Sequence, residues 1–326
     1  MARLTPRRID MHHHFLPRAY MKEEQERNAA YKHTGASPER LLSWTPAQAI
    51  EMMDEHCIAC AIGSVSTPGV WFGDIRAARR LSRDWNECAA RAVQDYPGRF
   101  GFFAVVAPPD TEGALKEIEY ALDVLKAEGI GLLSNYEGKA LGDPSFTPVF
   151  EELNRRKAVV YVHPTAHPCT SGLIPGLAPQ GIEFPLDTTR TITSLVLNGV
   201  LARCPDIKFI FAHGGGVLPF LAARIDHVGG RYKEFAANNP GGIEATLKRL
   251  YCDTASAGSG PQLAAMLNFF PASHILFGSD YPFVEGSHSI DELDAYPLTT
   301  AMRAAIDREN ALALFPRLRG LDSLHC

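Results

Sequence analysis

Histidine and aspartate side chains stand at the ends of several short apolar runs, and both residue types bind metal ions and transfer protons. His12 and His14 are separated by one residue within the sequence DMHHH near the amino terminus. His163 follows the apolar run AVVYV, His213 follows KFIFA, and Asp280 follows ILFGS. A single histidine after a strand is usually a hydrogen-bonded structural residue. Four strand ends that carry His, His, His and Asp instead indicate a metal site.

The spacing of His12 and His14 places both side chains on one face of a strand, because side chains alternate between the two faces. His13 then points to the opposite face. Imidazole and carboxylate ligands without thiolates favour Zn²⁺, with Mn²⁺ as a second possibility, and argue against a closed structural zinc site. We therefore predict one divalent metal ion bound by His12, His14, His163 and Asp280.

Eight apolar runs that alternate with amphipathic stretches must position these residues. Residues at helical spacing, such as Leu81, Trp85, Cys88 and Ala92, lie between them. This alternation predicts a closed (β/α)8 TIM barrel with loop insertions, in which the carboxyl ends of the strands meet at one face. No GxGxxG sequence supports an open dinucleotide-binding sheet. The predicted strands are Arg8–His12, Ala59–Val65, Phe100–Ala107, Gly129–Ser134, Ala158–His163, Lys208–His213, Leu250–Ala255 and Ile275–Asp280.

Composition narrows the class of protein. The 326 residues are 46% hydrophobic and 21% charged, which is typical of a large packed core, and we expect one domain over residues 1–326. A net charge of -5 gives no basic surface for nucleic acid or an anionic membrane. No run of about 20 apolar residues predicts a membrane span. An odd number of cysteines, seven, argues against a disulfide framework and favours the cytoplasm.

Three stretches are predicted to be loops that shape a pocket at the barrel mouth: residues 15–45, residues 164–187, and the block from SDYPFVEG to Leu293. Aromatic residues in the second and third stretches suit a flat substrate. Phe184, Tyr281 and Phe283 are the candidate substrate contacts.

The motifs DMHHH, VYVHP, FAHGGG and FGSDYPF resemble those of the amidohydrolase superfamily. Within it, they resemble the branch of aminocarboxymuconate semialdehyde decarboxylase and the aromatic-acid decarboxylases. The resemblance implies that His12, His14, His163 and Asp280 bind the metal, that His213 is a catalytic acid or base, and that Asp280 also moves a proton. The fourth strand ends GLLSNY, without the lysine that bridges two metals in other members, so one metal is expected.

The resemblance also implies a reaction, a non-oxidative decarboxylation of a hydroxylated aromatic or related unsaturated carboxylic acid without an organic cofactor. Arginines often hold the substrate carboxylate in this branch, and Arg224 and Arg190 are the candidates here. A homodimer is expected, with Arg224 reaching across the interface. The metal site alone equally suits a hydrolase (a lactonase or amidohydrolase) or a hydratase acting on a small organic acid, and an inactive binding barrel is a third alternative.

Overall fold

The computed structural model describes residues 8–27, 41–170, 172–284 and 286–321. Eight parallel strands form one sheet in the order of the chain. Backbone hydrogen bonds from Met11 N to Phe277 O (2.9 Å) and from His14 N to Tyr281 O (2.8 Å) join the last strand region to the first. The strands are β1 (Arg8–His14), β2 (Ile58–Ser64), β3 (Phe100–Val105), β4 (Gly129–Leu133), β5 (Val159–His163), β6 (Lys208–Phe211), β7 (Tyr251–Asp253) and β8 (Ile275–Leu276).

This architecture confirms the (β/α)8 barrel that the sequence predicts, and each of the eight strands lies within a few residues of its predicted position. The eighth strand is the shortest. It was expected to extend to Asp280 but ends at Leu276. Just beyond this end, Gly278 passes close to His12, with only 2.7 Å between the His12 Cβ and the place where a Cβ on Gly278 would stand.

Helices surround the barrel. The longest, α3, carries the predicted apolar residues Leu81 and Trp85 on its buried face, and Asp74 caps its first turn. The helices are α1 (Arg18–Arg27), α2 (Pro46–Glu55), α3 (Ile75–Asp95), α4 (Thr111–Glu119), α5 (Thr147–Arg155), α6 (Glu183–Leu197), α7 (Val200–Arg203), α8 (Leu218–Gly229), α9 (Lys233–Asn238), α10 (Ile243–Leu247), α11 (Gly260–Phe269), α12 (Gly286–Ala295), α13 (Thr300–Ala304) and α14 (Asn310–Leu314).

The three predicted loops are partly helical, which corrects the sequence interpretation. Residues 15–45 contain α1, while residues 28–40 of that stretch lie outside the described part of the chain. Helix α6 begins at Glu183, inside the stretch expected to be a loop up to residue 187. The block up to Leu293 contains α12, because Ile290 and Leu293 are spaced by three residues and bury one helical face.

Two apolar clusters hold the barrel together. The larger one fills the space between strands and helices. The smaller one contains Met11, Phe103 and Tyr161, with Phe315 of the carboxyl-terminal segment packed against Phe103. Tyr161 stacks on Phe103 at 5.0 Å between ring centroids and also contacts the His12 ring at 5.6 Å. This cluster therefore forms the floor beneath the histidines.

Candidate metal centre and active site

Strand β1 contains a β-bulge within its DMHHH segment. Between the pairs Asp10↔Ala61 and His13↔Gly63, β1 advances by three residues while β2 advances by two. Bulges re-aim side chains and are frequent beside active sites. His12 and His14 lie on one side, as strand alternation predicts, with ring centroids 5.0 Å apart. His13 lies on the other side, where its ring packs on Tyr281 at 5.1 Å.

Four side chains from three strand ends converge at the carboxyl face of the barrel. One ligand atom from each of His12, His14, His163 and Asp280 lies within 4.8 Å of the others, and all four residues are buried. Nε2 of His12 and Nε2 of His14 are 3.1 Å apart, and Oδ1 of Asp280 is 3.2 Å from the first and 3.1 Å from the second. The residues are therefore the set that the sequence predicts as ligands.

In the three histidines of this group, and in the neighbouring His213, Nδ1 lies within hydrogen-bonding distance of a carboxylate or carbonyl oxygen. A hydrogen bond from Nδ1 fixes the tautomer in which Nε2 has a free lone pair, the form needed to bind a metal. The Nδ1 contacts are His12 with Asp253 Oδ2 (3.0 Å), His14 with Ser64 O (3.3 Å), His163 with Pro164 O (2.8 Å) and His213 with Ala255 O (2.9 Å).

The electrostatics of the cluster favour a bound cation. Burial lowers the pKa of His12, but the charges of Asp253 and Asp280 outweigh it and raise this pKa to about 10. Burial and the neighbouring histidines hold the pKa of His163 well below its usual value. The pKa of Asp280 is also well below its usual value, because His12 and His14 outweigh the effect of burial. Three buried imidazoles and a carboxylate around one point suit a divalent ion, and these nitrogen and oxygen donors are those of Zn²⁺ or Mn²⁺.

His213 stands beside the cluster, at the turn after β6. Its ring centroid is 4.7 Å from that of His12 and 5.7 Å from that of His163. It is not one of the four convergent residues. Burial is the main cause that lowers its pKa. A largely neutral imidazole next to the metal ligands can accept or donate a proton, so the expectation that His213 is an acid or base stays open to test.

A cavity of about 270 Å³ opens above the cluster and is lined by His163, His213 and Asp280. Phe184 and Phe283 line it too. The Phe184 ring meets His163 edge-on at 6.1 Å, and the Phe283 ring meets His14 at 5.1 Å. Tyr281, the third aromatic candidate, is not among the lining residues and packs on His13 instead. The volume suits a molecule with a single ring.

Neither arginine candidate contributes to this cavity within one chain. Arg224 is exposed on α8. Arg190 is also largely exposed, and its guanidinium lies 3.8 Å from Glu183 and 3.7 Å from Asp187. Among the described residues that line the cavity there is no lysine and no arginine.

The family of the chain follows from comparison with known proteins. A family model described as amidohydrolase matches residues 9–317. The chain belongs to the amidohydrolase family. A decarboxylase of Aspergillus niger, yanB, is 36% identical over 96% of this chain and 88% of its own length. The 6-methylsalicylic acid decarboxylase of Penicillium expansum is 34% identical over 96% of this chain and 98% of its own length.

A solved structure confirms the architecture of this amidohydrolase. The crystal structure of an amidohydrolase II has a TM-score of 0.84 at 28% identity, and the match covers 94% of this chain and 99% of that one. The resemblance deduced from DMHHH, VYVHP, FAHGGG and FGSDYPF is therefore confirmed. Among the described residues, no helix combines the length and apolar character needed to cross a membrane.

Sequence reasoning missed one residue of this amidohydrolase, Asp253. It is fully buried at the end of β7 and touches both His12 and the backbone of His213. Its position follows the same pattern as the others, because a polar residue ends the apolar run in LYCDTA. That pattern could have identified it.

Proposed function

We propose that this amidohydrolase is a metal-dependent, non-oxidative decarboxylase of a hydroxylated, salicylate-like aromatic acid. The observation that carries the proposal is the placement of the His12, His14, His163 and Asp280 cluster at the floor of a one-ring cavity that Phe184 and Phe283 line. The relatives named as decarboxylases, among them the 6-methylsalicylic acid decarboxylase, support this reaction and this class of substrate.

The metal ion would be held by His12, His14, His163 and Asp280. We propose Zn²⁺ as the native ion and Mn²⁺ as the alternative, because both accept imidazole and carboxylate ligands. The chemistry supplied by such an ion is that of a Lewis acid that attracts the carboxylate and neighbouring hydroxyl oxygens of the substrate. The chain reads Ser134-Asn135 after β4, without a lysine that could bridge two metals, and this supports a site for one metal; both residues donate hydrogen bonds to Asp187 instead.

The side chains of the site account for the remaining steps. Phe184 and Phe283 would hold the ring flat between them and exclude water from the reacting carbon. Asp280, a carboxylate at the start, would take up the proton of the substrate's ring hydroxyl and deliver it to the ring carbon that bears the carboxylate, with His213 as its helper or as the alternative donor; water then returns a proton to the phenolate. That carbon gains a hydrogen, the bond to the carboxylate breaks, and CO2 leaves. No organic cofactor is needed, because the hydroxylated ring itself accommodates the electron pair.

A second copy of the chain would complete the site. The cavity has no cationic side chain among its described lining residues, although the substrate is an anion. Phe220, which lines the cleft next to His213, is 88% exposed at the start of α8, and Arg224 follows one turn later. We propose a homodimer in which Arg224 of each chain reaches the partner's site, and we place the enzyme in the cytoplasm.

One comparison of substrates tests the reaction. Zinc-loaded protein is incubated with salicylate and 6-methylsalicylate, and separately with small lactones, while CO2 release and acid release are followed. We expect CO2 from the aromatic acids, one molecule for each molecule of phenol formed. The Asp280→Ala variant is the control for background loss of CO2. Lactone opening without CO2 release would instead assign the site to a hydrolase.

A further inference from the structure

Asp253 at the end of β7 makes four hydrogen bonds and is 0% exposed. Its Oδ2 lies 3.0 Å from His12 Nδ1 and accepts a hydrogen bond from the Tyr161 hydroxyl at 3.2 Å. Its Oδ1 accepts hydrogen bonds from the backbone N–H groups of His213 (3.0 Å) and Ala255 (3.1 Å). One carboxylate therefore contacts both a metal-ligand candidate and the turn that carries the acid or base candidate.

The contact with His12 has a direct consequence for metal binding. A carboxylate can only accept, so His12 must carry its proton on Nδ1, and Nε2 then has a free lone pair. That Nε2 is the atom that lies 3.1 Å from His14 Nε2 and 3.2 Å from Asp280 Oδ1.

The other carboxylate oxygen stabilises the turn after β6. His213 has a φ of +53°, which residues other than glycine rarely adopt, so this turn needs support from its surroundings. Asp253 Oδ1 accepts hydrogen bonds from the N–H groups of both His213 and Ala255. The carbonyl of Ala255 accepts from His213 Nδ1 at 2.9 Å, so the same oxygen fixes the backbone of His213 and the residue that orients its ring.

We propose that Asp253 is a positioning residue that sets the tautomer of His12 for metal binding through Oδ2 and fixes the His213 turn through Oδ1. The inference rests on the proposed metal site but does not depend on which substrate is used. It assigns to a residue at the end of β7 a role that no ligand motif in the sequence contains.

The substitution Asp253→Asn separates the two functions of the carboxylate. The two backbone N–H groups on the Oδ1 side can only donate, so the asparagine carbonyl has to face them. Its NH2 group then points at His12 Nδ1 and favours the tautomer with the proton on Nε2, which cannot bind a metal through Nε2. Loss of such a supporting contact typically weakens metal affinity by roughly 10- to 100-fold.

The measurement is the zinc dissociation constant, obtained by competition with a chromogenic chelator for the wild type, Asp253→Asn and Tyr161→Phe. Tyr161→Phe is the matched control, because it removes the other partner of Oδ2 and leaves the carboxylate in place. We expect weakening of about 10-fold or more for Asp253→Asn and a much smaller change for Tyr161→Phe. Equal zinc affinity in the wild type and Asp253→Asn overturns the inference.

A second measurement uses only the wild type, in case the asparagine variant does not fold. Long-range ¹H–¹⁵N spectra of the zinc-loaded protein report which nitrogen of each histidine carries a proton. We expect a hydrogen-bonded proton on Nδ1 of His12 and zinc on its Nε2; zinc on Nδ1 overturns the inference. Failure of the wild type to bind zinc at all would contradict the proposed metal site as well, so the two failures are distinguishable.

Discussion

His213 differs from the four clustered side chains in what its nitrogens face. It lines the cavity, and its Nδ1 is engaged by the carbonyl of Ala255 at 2.9 Å. Nε2 is therefore the nitrogen available for proton transfer. The residue lies outside the group of ligand atoms that converge within 4.8 Å. This placement fits an acid or base better than a metal ligand.

We expect His213→Ala to retain its metal and to lose turnover by roughly 100- to 10,000-fold, the usual contribution of a positioned acid or base. Elemental analysis of the purified variant and CO2 release from the preferred aromatic acid measure the two effects. Asp280→Ala is the comparison, because it should lose both metal and turnover. If His213→Ala also purified without metal, His213 would be a ligand.

The placement of some site residues could be predicted from the sequence, and that of others could not. The common face of His12 and His14 follows from strand alternation, and the convergence of four strand ends follows from the barrel. The β-bulge between Asp10 and His13 depends on pairing with β2, which no local pattern in β1 encodes. Tyr281 was expected in the pocket, but its ring packs on His13 because β8 ends early and the chain turns at Asp280, where φ is +64°.

The turn after β6 shows how an element positions a functional residue. His213 is followed by Gly214, Gly215 and Gly216, each with a φ between +68° and +71°. Glycine adopts such values without a steric cost, whereas other residues do not. At Gly216 the approach is also close, because a Cβ there would stand 2.2 Å from the carbonyl oxygen of Pro185. The sequence FAHGGG is thus needed to bring α8 against α6 just after His213.

We expect Gly216→Ala to lower the free energy of unfolding by more than about 2 kcal/mol, since its backbone (φ +68°, ψ -132°) lies in a region that side chains rarely adopt, at a cost of roughly 1–3 kcal/mol, and the contact with Pro185 adds to it. Urea unfolding monitored by circular dichroism measures the change. Gly241→Ala is the control, because nothing lies within 4 Å of its Cβ position and its φ is not positive. Similar unfolding curves for the two variants would contradict this role for Gly216.

The helices were predicted less completely than the strands, for a physical reason. Helix α3 has a long apolar face that is visible in the sequence. Helix α12 buries Ile290 and Leu293 but has polar residues on its other faces, and it follows the proline-containing segment after Asp280. A short helix of this kind is stabilised by the barrel it packs against rather than by its own periodicity, so a window of the sequence does not reveal it.

At the scale of the whole molecule, the mouth of the barrel combines a functional cavity with exposed apolar side chains. Phe220 is 88% exposed, and Ile182, which lines the same cleft, is 38% exposed. Arg224 lies one turn after Phe220, so both project from the same side of α8. In a two-fold symmetric dimer, each chain offers the same patch to the other. Burial of Phe220 would then place Arg224 of one chain near the mouth of the partner's cavity.

A mixing experiment tests whether Arg224 acts across this interface. Arg224→Ala lacks the proposed cation and Asp280→Ala lacks a metal ligand, so each variant alone should be nearly inactive. After the two are mixed and exchange subunits, a hybrid dimer contains one complete site, with Asp280 from one chain and Arg224 from the other. Half of the dimers should be hybrids with one complete site each, giving about a quarter of the wild-type activity. Arg224→Ala mixed with the double variant Arg224→Ala/Asp280→Ala should remain inactive. If mixtures that demonstrably contain hybrid dimers recover no activity, Arg224 acts within its own chain.

The apolar contact of Phe220 has a test of its own. Phe220→Asp should sediment as a monomer, because a buried carboxylate would oppose that contact.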